Sequence, residues 1–98
     1  MDYLARIELD GPPREGDRAK LDKELAKSDF YFIIMGSDGV TGFQLPSGTY
    51  YCYATYPNLD AAHTAVSSAL TRAGLSGKVL VAAVTGWQST NLPPVLPG

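Results

Sequence analysis

Four stretches of the chain have the hydrophobic pattern of β-strands. They are residues 3–9, 30–35, 49–56 and 78–85. The third gives the strongest strand signal, because it has tyrosine at four positions and aromatic side chains favour an extended, half-buried surface. A Pro-Ser-Gly turn at 46–48 precedes this stretch, and Pro57 ends it because proline has no N–H to donate to a strand ladder.

Residues 49–56 divide into two faces, since successive side chains of a strand point in opposite directions. One face has Tyr50, Cys52 and Ala54, and its small residues allow helices to pack closely. The other face has Tyr51 and Tyr53, whose amphipathic rings can contact water, a second subunit or a ligand. These two tyrosines are candidate binding residues, although covering the sheet is the plainer explanation.

Two further stretches have the spacing of helices. Residues 14–27 form a charged helix with a thin apolar stripe at Leu21 and Leu25. The helix that follows the third strand extends to about position 73 and has the best amphipathic spacing in the chain. Asn58 or Asp60 is expected to cap its start, and Gly74 to end it.

The connections suggest how the strands are arranged. The Asp-Gly pair in the turn at 37–39 is a hairpin signal, because both residues tolerate positive φ. The second and third strands are therefore expected to be antiparallel neighbours, with residues 43–45 already pairing. The last strand is a continuous apolar run, which predicts a central or doubly covered position.

The order β-α-β-β-α-β predicts an α+β fold of the ferredoxin-like kind. Right-handed crossovers then give an antiparallel sheet with strand order 4-1-3-2, both helices on one face, and the other face free for a dimer partner, a ligand or nucleic acid. The expected domain spans residues 1–86. Residues 87–98 are polar and proline-rich, and are expected to be a frayed tail.

Composition narrows the classes of function. The 98 residues have a formal net charge of −2, which argues against wholesale phosphate neutralisation, and we predict no DNA partner. The single cysteine, Cys52, excludes an internal disulfide or an all-cysteine metal site. No apolar run is long enough for a bilayer and no signal-peptide pattern is present, so we expect a cytoplasmic protein without a membrane partner. A chain this small gains from dimerisation, and a homodimer is expected.

Asp10 is the one candidate for metal chemistry. Asp10 ends the first strand, and in a dimer meeting through its sheets two copies could hold a divalent metal through oxygen ligands. A plainer role is to start the Gly-Pro-Pro turn. His63 is the only histidine and lies at the edge of the second helix's apolar stripe, so we expect a partly buried structural residue. No other cofactor is predicted.

Arg6 lies on the predicted open face beside Tyr51 and Tyr53. Some RNA-binding modules stack single-stranded bases on the aromatic and arginine side chains of a sheet. In such an arrangement Arg14 and Arg18 would bind phosphates. The strand consensus of the RNA-recognition motif is not met. A cross-strand salt bridge explains Arg6 equally well.

Several segments together resemble the GhoS-type family of small antitoxin endoribonucleases. They are YLARIEL in the first strand, the Asp-Phe step at 29–30 into FYFII, Asp-Gly at 38–39 followed by Gln-Leu at 44–45, and the closing helix and strand. The likeness spans roughly residues 3–85. It implies a ferredoxin-like fold, similar in shape to small CRISPR-associated nucleases, and cleavage of the messenger RNA of a membrane-lytic toxin. No catalytic residue is transferred, because no basic residue of the first helix matches a family catalytic position.

Three functions remain open at this point. The first is a cytoplasmic, dimeric protein that binds single-stranded RNA and can cleave it. The alternative is a non-enzymatic interaction or regulatory module whose aromatic sheet face is a protein interface. A small-molecule-binding domain is the third, and it would need an enclosed pocket beneath Tyr51 and Tyr53.

Overall fold

The computed structural model describes residues 1–12, 14–36, 39–53 and 55–95. Over these residues the elements, in chain order, are β1 (Asp2–Leu9), α1 (Asp17–Lys27), β2 (Ile33–Met35), β3 (Gly42–Gln44), β4 (Thr49–Cys52), α2 (Leu59–Arg72) and β5 (Gly77–Val84). Within the described chain they form antiparallel sheets of three and two strands with two helices, which confirms the α+β class. The predicted turn at 37–39 lies mostly outside the described residues, since only Gly39 of it is described.

The three-stranded sheet has β1 at its centre, in the order β4-β1-β5. Arg6 of β1 lies opposite Thr49 on one side and Leu80 on the other. The prediction that the last strand is central or doubly covered is therefore wrong. Val79 and Val81 are half-buried, but the alternate side chain of Leu80 is 65% exposed. A continuous apolar run thus belongs here to an edge strand.

The tyrosine-rich strand is shorter than the sequence indicates. It ends at Cys52 rather than at position 56, because β1 begins at Asp2 and offers almost no chain to pair beyond Cys52. The predicted alternation is confirmed where strand is present. Tyr50 and Cys52 are buried in the cluster under the helices, whereas Tyr51 is buried in a separate cluster on the opposite face.

Both helices pack on one face of this sheet, which we call the inner face. The core between the helices and the sheet contains side chains from both helices, from the sheet and from the segment after α1: Tyr3, Ala5, Ile7, Leu21, Leu25, Phe30, Tyr50, Cys52, Ala62, Val66, Ala69 and Leu70. Asn58 caps α2 by accepting a 2.8 Å hydrogen bond from the N–H of Ala61. α1 begins at Asp17, later than predicted, because Gly16 has a left-handed φ of 85°.

The opposite, outer face is partly covered by the β2–β3 hairpin. Tyr31 joins the hairpin to β4 through two backbone hydrogen bonds with Tyr51, of 2.9 Å and 2.7 Å. Ile34 and Leu45 then pack on Tyr51 to form an outer cluster. β2 starts at Ile33, so the strand predicted from position 30 is also shortened.

The C-terminal tail covers more of the outer face. The N–H of Gln44 donates to the Pro93 carbonyl, and the N–H of Val95 donates to the Gly42 carbonyl, each at 2.8 Å. Leu92 packs against the outer cluster. The prediction of a frayed tail is therefore wrong for residues 87–95, and residues 96–98 lie outside the described residues. The prediction of a wholly free outer face is also wrong. The tail provides hydrogen-bond partners for backbone groups on the outer edge of β3. The hairpin buries apolar side chains of the outer face that would otherwise be exposed.

On each face of the three-stranded sheet a tyrosine hydroxyl donates a hydrogen bond to a carboxylate. Tyr50 donates a 2.6 Å hydrogen bond to Asp22, and Tyr51 donates one of the same length to Asp2. Burial, followed by the neighbouring carboxylate, raises the pKa of both hydroxyls well above the ordinary tyrosine value of 10.0. The folded chain therefore keeps these protons at pH values where the unfolded chain releases them.

We expect the free energy of unfolding to fall as the pH rises above about 10. Below that pH the folded and the unfolded chain both keep the phenolic protons, so the stabilisation from the two hydrogen bonds is fully present. Above it the unfolded chain binds fewer protons than the folded chain, and that stabilisation is lost. Urea unfolding from about pH 8 to about pH 11 measures the effect. The Tyr50→Phe variant should lose stability less steeply with pH, and an equally steep loss would contradict this origin.

No helix among the described residues has both the length and the apolar character that crossing a membrane requires.

Candidate functional site

A cleft of about 320 Å³ lies on the outer face, between the sheet, the hairpin and the tail. We call it the outer cleft. Its apolar lining includes Leu4, Ile34, Leu45, Trp87 and Leu92, and its polar lining includes Thr49, Gln88, Ser89 and Thr90. This volume lies at the lower end of the range of ligand pockets.

The tail supplies a large part of the lining of the outer cleft. The backbone bonds of Pro93 and Val95 to β3 anchor the far end of the tail, and β5 ends at Val84 beside the start of β1. Trp87 lies between these two anchors and is 41% exposed. A second cavity of about 530 Å³, lined also by Met35 and Phe43, contacts the same side chain. The indole thus separates two cavities and keeps part of its surface open.

Arg6 does not itself line the outer cleft, but its neighbours Leu4 and Thr49 do, which places Arg6 at the rim. Its side chain is exposed on the same face as Leu4, and it is directly opposite Thr49, which also lines the cleft. Its Nη1 donates a hydrogen bond to the carbonyl of Ser47, leaving other guanidinium N–H groups available for an anion. The structure therefore places a fixed positive charge next to an apolar, aromatic cleft.

A glycine makes this placement of Arg6 possible. Gly48 has a φ of 84°, and its carbonyl accepts a 2.8 Å hydrogen bond from the N–H of Ile7. A Cβ at this position would lie 2.5 Å from the Ile7 carbonyl oxygen and 3.1 Å from Nη1 of Arg6. Only glycine brings the turn this close to β1 without displacing the guanidinium.

Arg18 borders the same turn as Arg6. It lines a cavity of about 250 Å³ together with Ser47, Gly48 and Tyr50. The structure therefore brings Arg6 and Arg18 to the two sides of the turn at 46–48. Arg14 is farther along, in a separate cavity of about 510 Å³ at the start of α1.

The expected pair of exposed rings is reduced to one. Tyr51 is 2% exposed, because the hairpin packs over it, so the expectation that its ring faces a visitor is wrong. Tyr53 remains 46% exposed, with its ring 4.8 Å from that of Tyr51. The N–H of Met35 donates a 3.0 Å hydrogen bond to the Tyr53 hydroxyl, which holds this ring beside the hairpin.

The outer cleft and Arg6 together suit a planar ring that carries an anion. An apolar lining with an indole accepts the ring, hydroxyl and amide groups give it an orientation, and the guanidinium pairs with the negative charge. Comparison of the chain with protein-family models, curated proteins and solved structures finds no match.

Trp87 is the candidate side chain that the sequence analysis missed. It is the only tryptophan in the chain, and it stands in a polar, proline-rich segment. A lone tryptophan in such a segment was the available signal, since tryptophan is usually well buried. What concealed its role was the expectation that the whole tail is frayed.

The metal prediction at Asp10 gains no support from its surroundings. Asp10 and Asp17 line the same cavity, but so do Arg14 and Lys20, whose positive charges oppose a divalent cation. Among the described residues no group of three or more His, Cys, Asp and Glu side chains could hold a metal ion. The residues at this cavity therefore do not fit a divalent metal within one copy of the chain.

Two single residues were also placed from the sequence. Cys52, on the face expected to pack against helices, is fully buried in the inner core. His63 was expected to be partly buried but is exposed on α2, beside Thr64 and Ser67. The α2 stripe that packs on the sheet is narrower than the sequence suggests, and His63 lies outside it.

Proposed function

We propose that the protein binds single-stranded RNA through the outer cleft and Arg6. The observation that carries the proposal is the half-exposed indole of Trp87 in a cleft that has a guanidinium at its rim. An unpaired nucleotide has the matching parts, a flat base and a phosphate. Single-stranded nucleic acids are bound by stacking bases on aromatic side chains and by pairing phosphates with basic ones.

The path of the strand follows the arginines. A base in the outer cleft leaves its phosphate beside Arg6, and the next phosphates pass the turn at 46–48 toward Arg18. Arg14 and Tyr53 are more distant contacts. Tyr51 packs beneath the outer cleft, against Ile34 and Leu45, and does not stack on a base.

The GhoS-type resemblance supports the same proposal. The bridge between Tyr31 and Tyr51 places the hairpin segment next to β4. We propose that this isolated bridge extends the sheet, in which case the order β5-β1-β4-β2 would correspond to the ferredoxin-like order 4-1-3-2. A GhoS-like protein would act in the cytoplasm on a toxin messenger RNA. If it cleaves that RNA, Asp10 beside Arg14 and Lys20 is the group we propose for proton transfer.

The test is titration of a labelled single-stranded RNA at several salt concentrations. We expect affinity to fall as salt rises, and the Arg6→Gln variant to lower the slope of log K against log salt by about 0.7 for a lost phosphate contact. Lys27→Gln is the matched control, because Lys27 is exposed and bonded to Glu24 on α1. No binding at low salt, or equal slopes for both variants, would overturn the proposal.

A protein-interaction module is the second candidate function. It is favoured by the edge of β5, where the side chain of Leu80 is 65% exposed. Failure to bind RNA in the titration above leaves this reading as the better one.

A further inference from the structure

The outer edge of β5 is a row of backbone groups without strand partners. In antiparallel pairs the hydrogen-bonding groups of successive residues point alternately to the two sides. The N–H of Asp10 donates to the carbonyl of Ser76 at 3.0 Å, so even-numbered residues of β5 bond to β1. The N–H and C=O groups of Val79, Val81 and Ala83 therefore point away from the sheet. In the described part of the chain no strand pairs with them.

Apart from Lys78 at one end, the described edge of β5 has no charge, proline or bulge to protect it. Natural edge strands carry charges, prolines or bulges that discourage further pairing. From Val79 to Val84 the sequence is VLVAAV, without a charge or a proline. Lys78 stands at one end only. The outward side chain of Leu80 adds exposed apolar surface to the unpaired backbone.

We propose that a second copy of the chain pairs antiparallel with this edge, about a two-fold axis at Leu80. In this register Leu80 faces the partner's Leu80, and Val79 faces the partner's Val81. The free backbone groups of odd-numbered residues then bond to one another. Lys78 faces the partner's Ala82, which keeps the two lysines apart and avoids direct repulsion between like charges.

The strand fits its own copy for a structural reason. In this register even-numbered residues face even-numbered residues of the partner, so the exposed side chain of Leu80 packs against the partner's Leu80 on the outer face. On the inner face, beside α2, the β-branched Val79 and Val81 face each other across the two strands. The two three-stranded sheets become one sheet of six strands. The axis is perpendicular to this sheet, so both outer clefts lie on the same side. This assembly does not depend on RNA binding.

Cysteine cross-linking tests the register directly. Leu80 and the partner's Leu80 form a non-hydrogen-bonded pair, whose Cα atoms are about 4.5 Å apart, within the range of a disulfide. Leu80→Cys should therefore cross-link readily under mild oxidation. Ala82→Cys is the matched control on the same face, because the two cysteines would be about 13 Å apart along the strands. The native Cys52 is fully buried and does not interfere.

Molecular mass in solution completes the test. The unmodified chain and the Leu59→Glu control, which changes an exposed leucine of α2, should sediment as dimers. Leu80→Glu should sediment as a folded monomer, because two carboxylates would face each other across the axis. At a chain concentration of about 100 μM even a weak dimer should be populated. A monomeric mass for the unmodified chain at that concentration would overturn the proposal. Equal cross-linking of Ala82→Cys and Leu80→Cys would overturn the register. Neither readout uses RNA, so the result is separate from that of the binding experiment.

Discussion

We expect Trp87→Ala to weaken the proposed binding of single-stranded RNA by about 5-fold to about 150-fold. Base–aromatic stacking contributes about 1–3 kcal/mol for each base, and about 1.4 kcal/mol corresponds to a tenfold change in affinity. The slope of affinity against salt should stay unchanged, because the indole carries no charge. Fluorescence anisotropy of a labelled oligonucleotide measures both quantities on the same sample.

The matched control for this variant is Tyr31→Ala. Tyr31 is 43% exposed, close to the 41% of Trp87, but its ring does not line the outer cleft. Its hydroxyl donates to Asp29 at 3.3 Å, at the end of α1. Trp87→Phe should restore much of the affinity because it keeps an aromatic face. Equal loss in the Trp87 and Tyr31 variants would show that the cleft has no special role.

We expect Leu25→Ala to lower the free energy of unfolding by about 2–5 kcal/mol, the usual cost of truncating a buried leucine. The buried side chains of α1 are Leu21 and Leu25, and both have no exposed surface. One substitution therefore truncates one of the two buried leucines through which α1 packs on the core. Small domains have about 5–15 kcal/mol of stability in total, so the effect is large.

Urea denaturation at neutral pH measures this loss. Leu59→Ala is the control, because it removes the same atoms from a leucine that is 44% exposed at the start of α2. We expect the control to change stability by no more than about 0.5 kcal/mol, as for most surface substitutions. If both variants lose the same stability, docking of α1 does not depend on the inner core as described.

Local patterns predicted the parts of the fold that local interactions determine. Asn58 caps α2 by bonding the N–H of Ala61, a contact between residues three positions apart. The alternation of Tyr50 and Tyr51 is a property of any extended chain, and it correctly separated their faces. The antiparallel pairing of the second strand segment with residues near 43–45 follows from their closeness in sequence.

Long-range contacts account for what the sequence could not show. The tail is docked by backbone bonds from Pro93 and Val95 to β3, and backbone groups are the same in every sequence. The hairpin's bend over Tyr51 likewise depends on packing between distant segments. An apolar run such as that of β5 does not reveal how many neighbours the strand has.

The candidate site shows the same division. Arg6 was placed on the outer face correctly, because alternation along β1 fixes its direction. The burial of Tyr51 and the part taken by Trp87 both follow from the hairpin and the tail, so neither could be predicted from strand patterns. The approach of Arg6 and Arg18 to one turn depends on the fold of residues far apart in sequence.

The most direct measurement is the fluorescence of Trp87 during addition of unlabelled single-stranded RNA. Because the chain has one tryptophan, selective excitation of the indole reports on the outer cleft and on the neighbouring cavity that Trp87 also lines. Stacking of a base on the indole should quench the signal to a saturating level, with a midpoint that moves to higher RNA concentration as salt is added. An unchanged signal at RNA concentrations that saturate a labelled probe would contradict binding at this cleft.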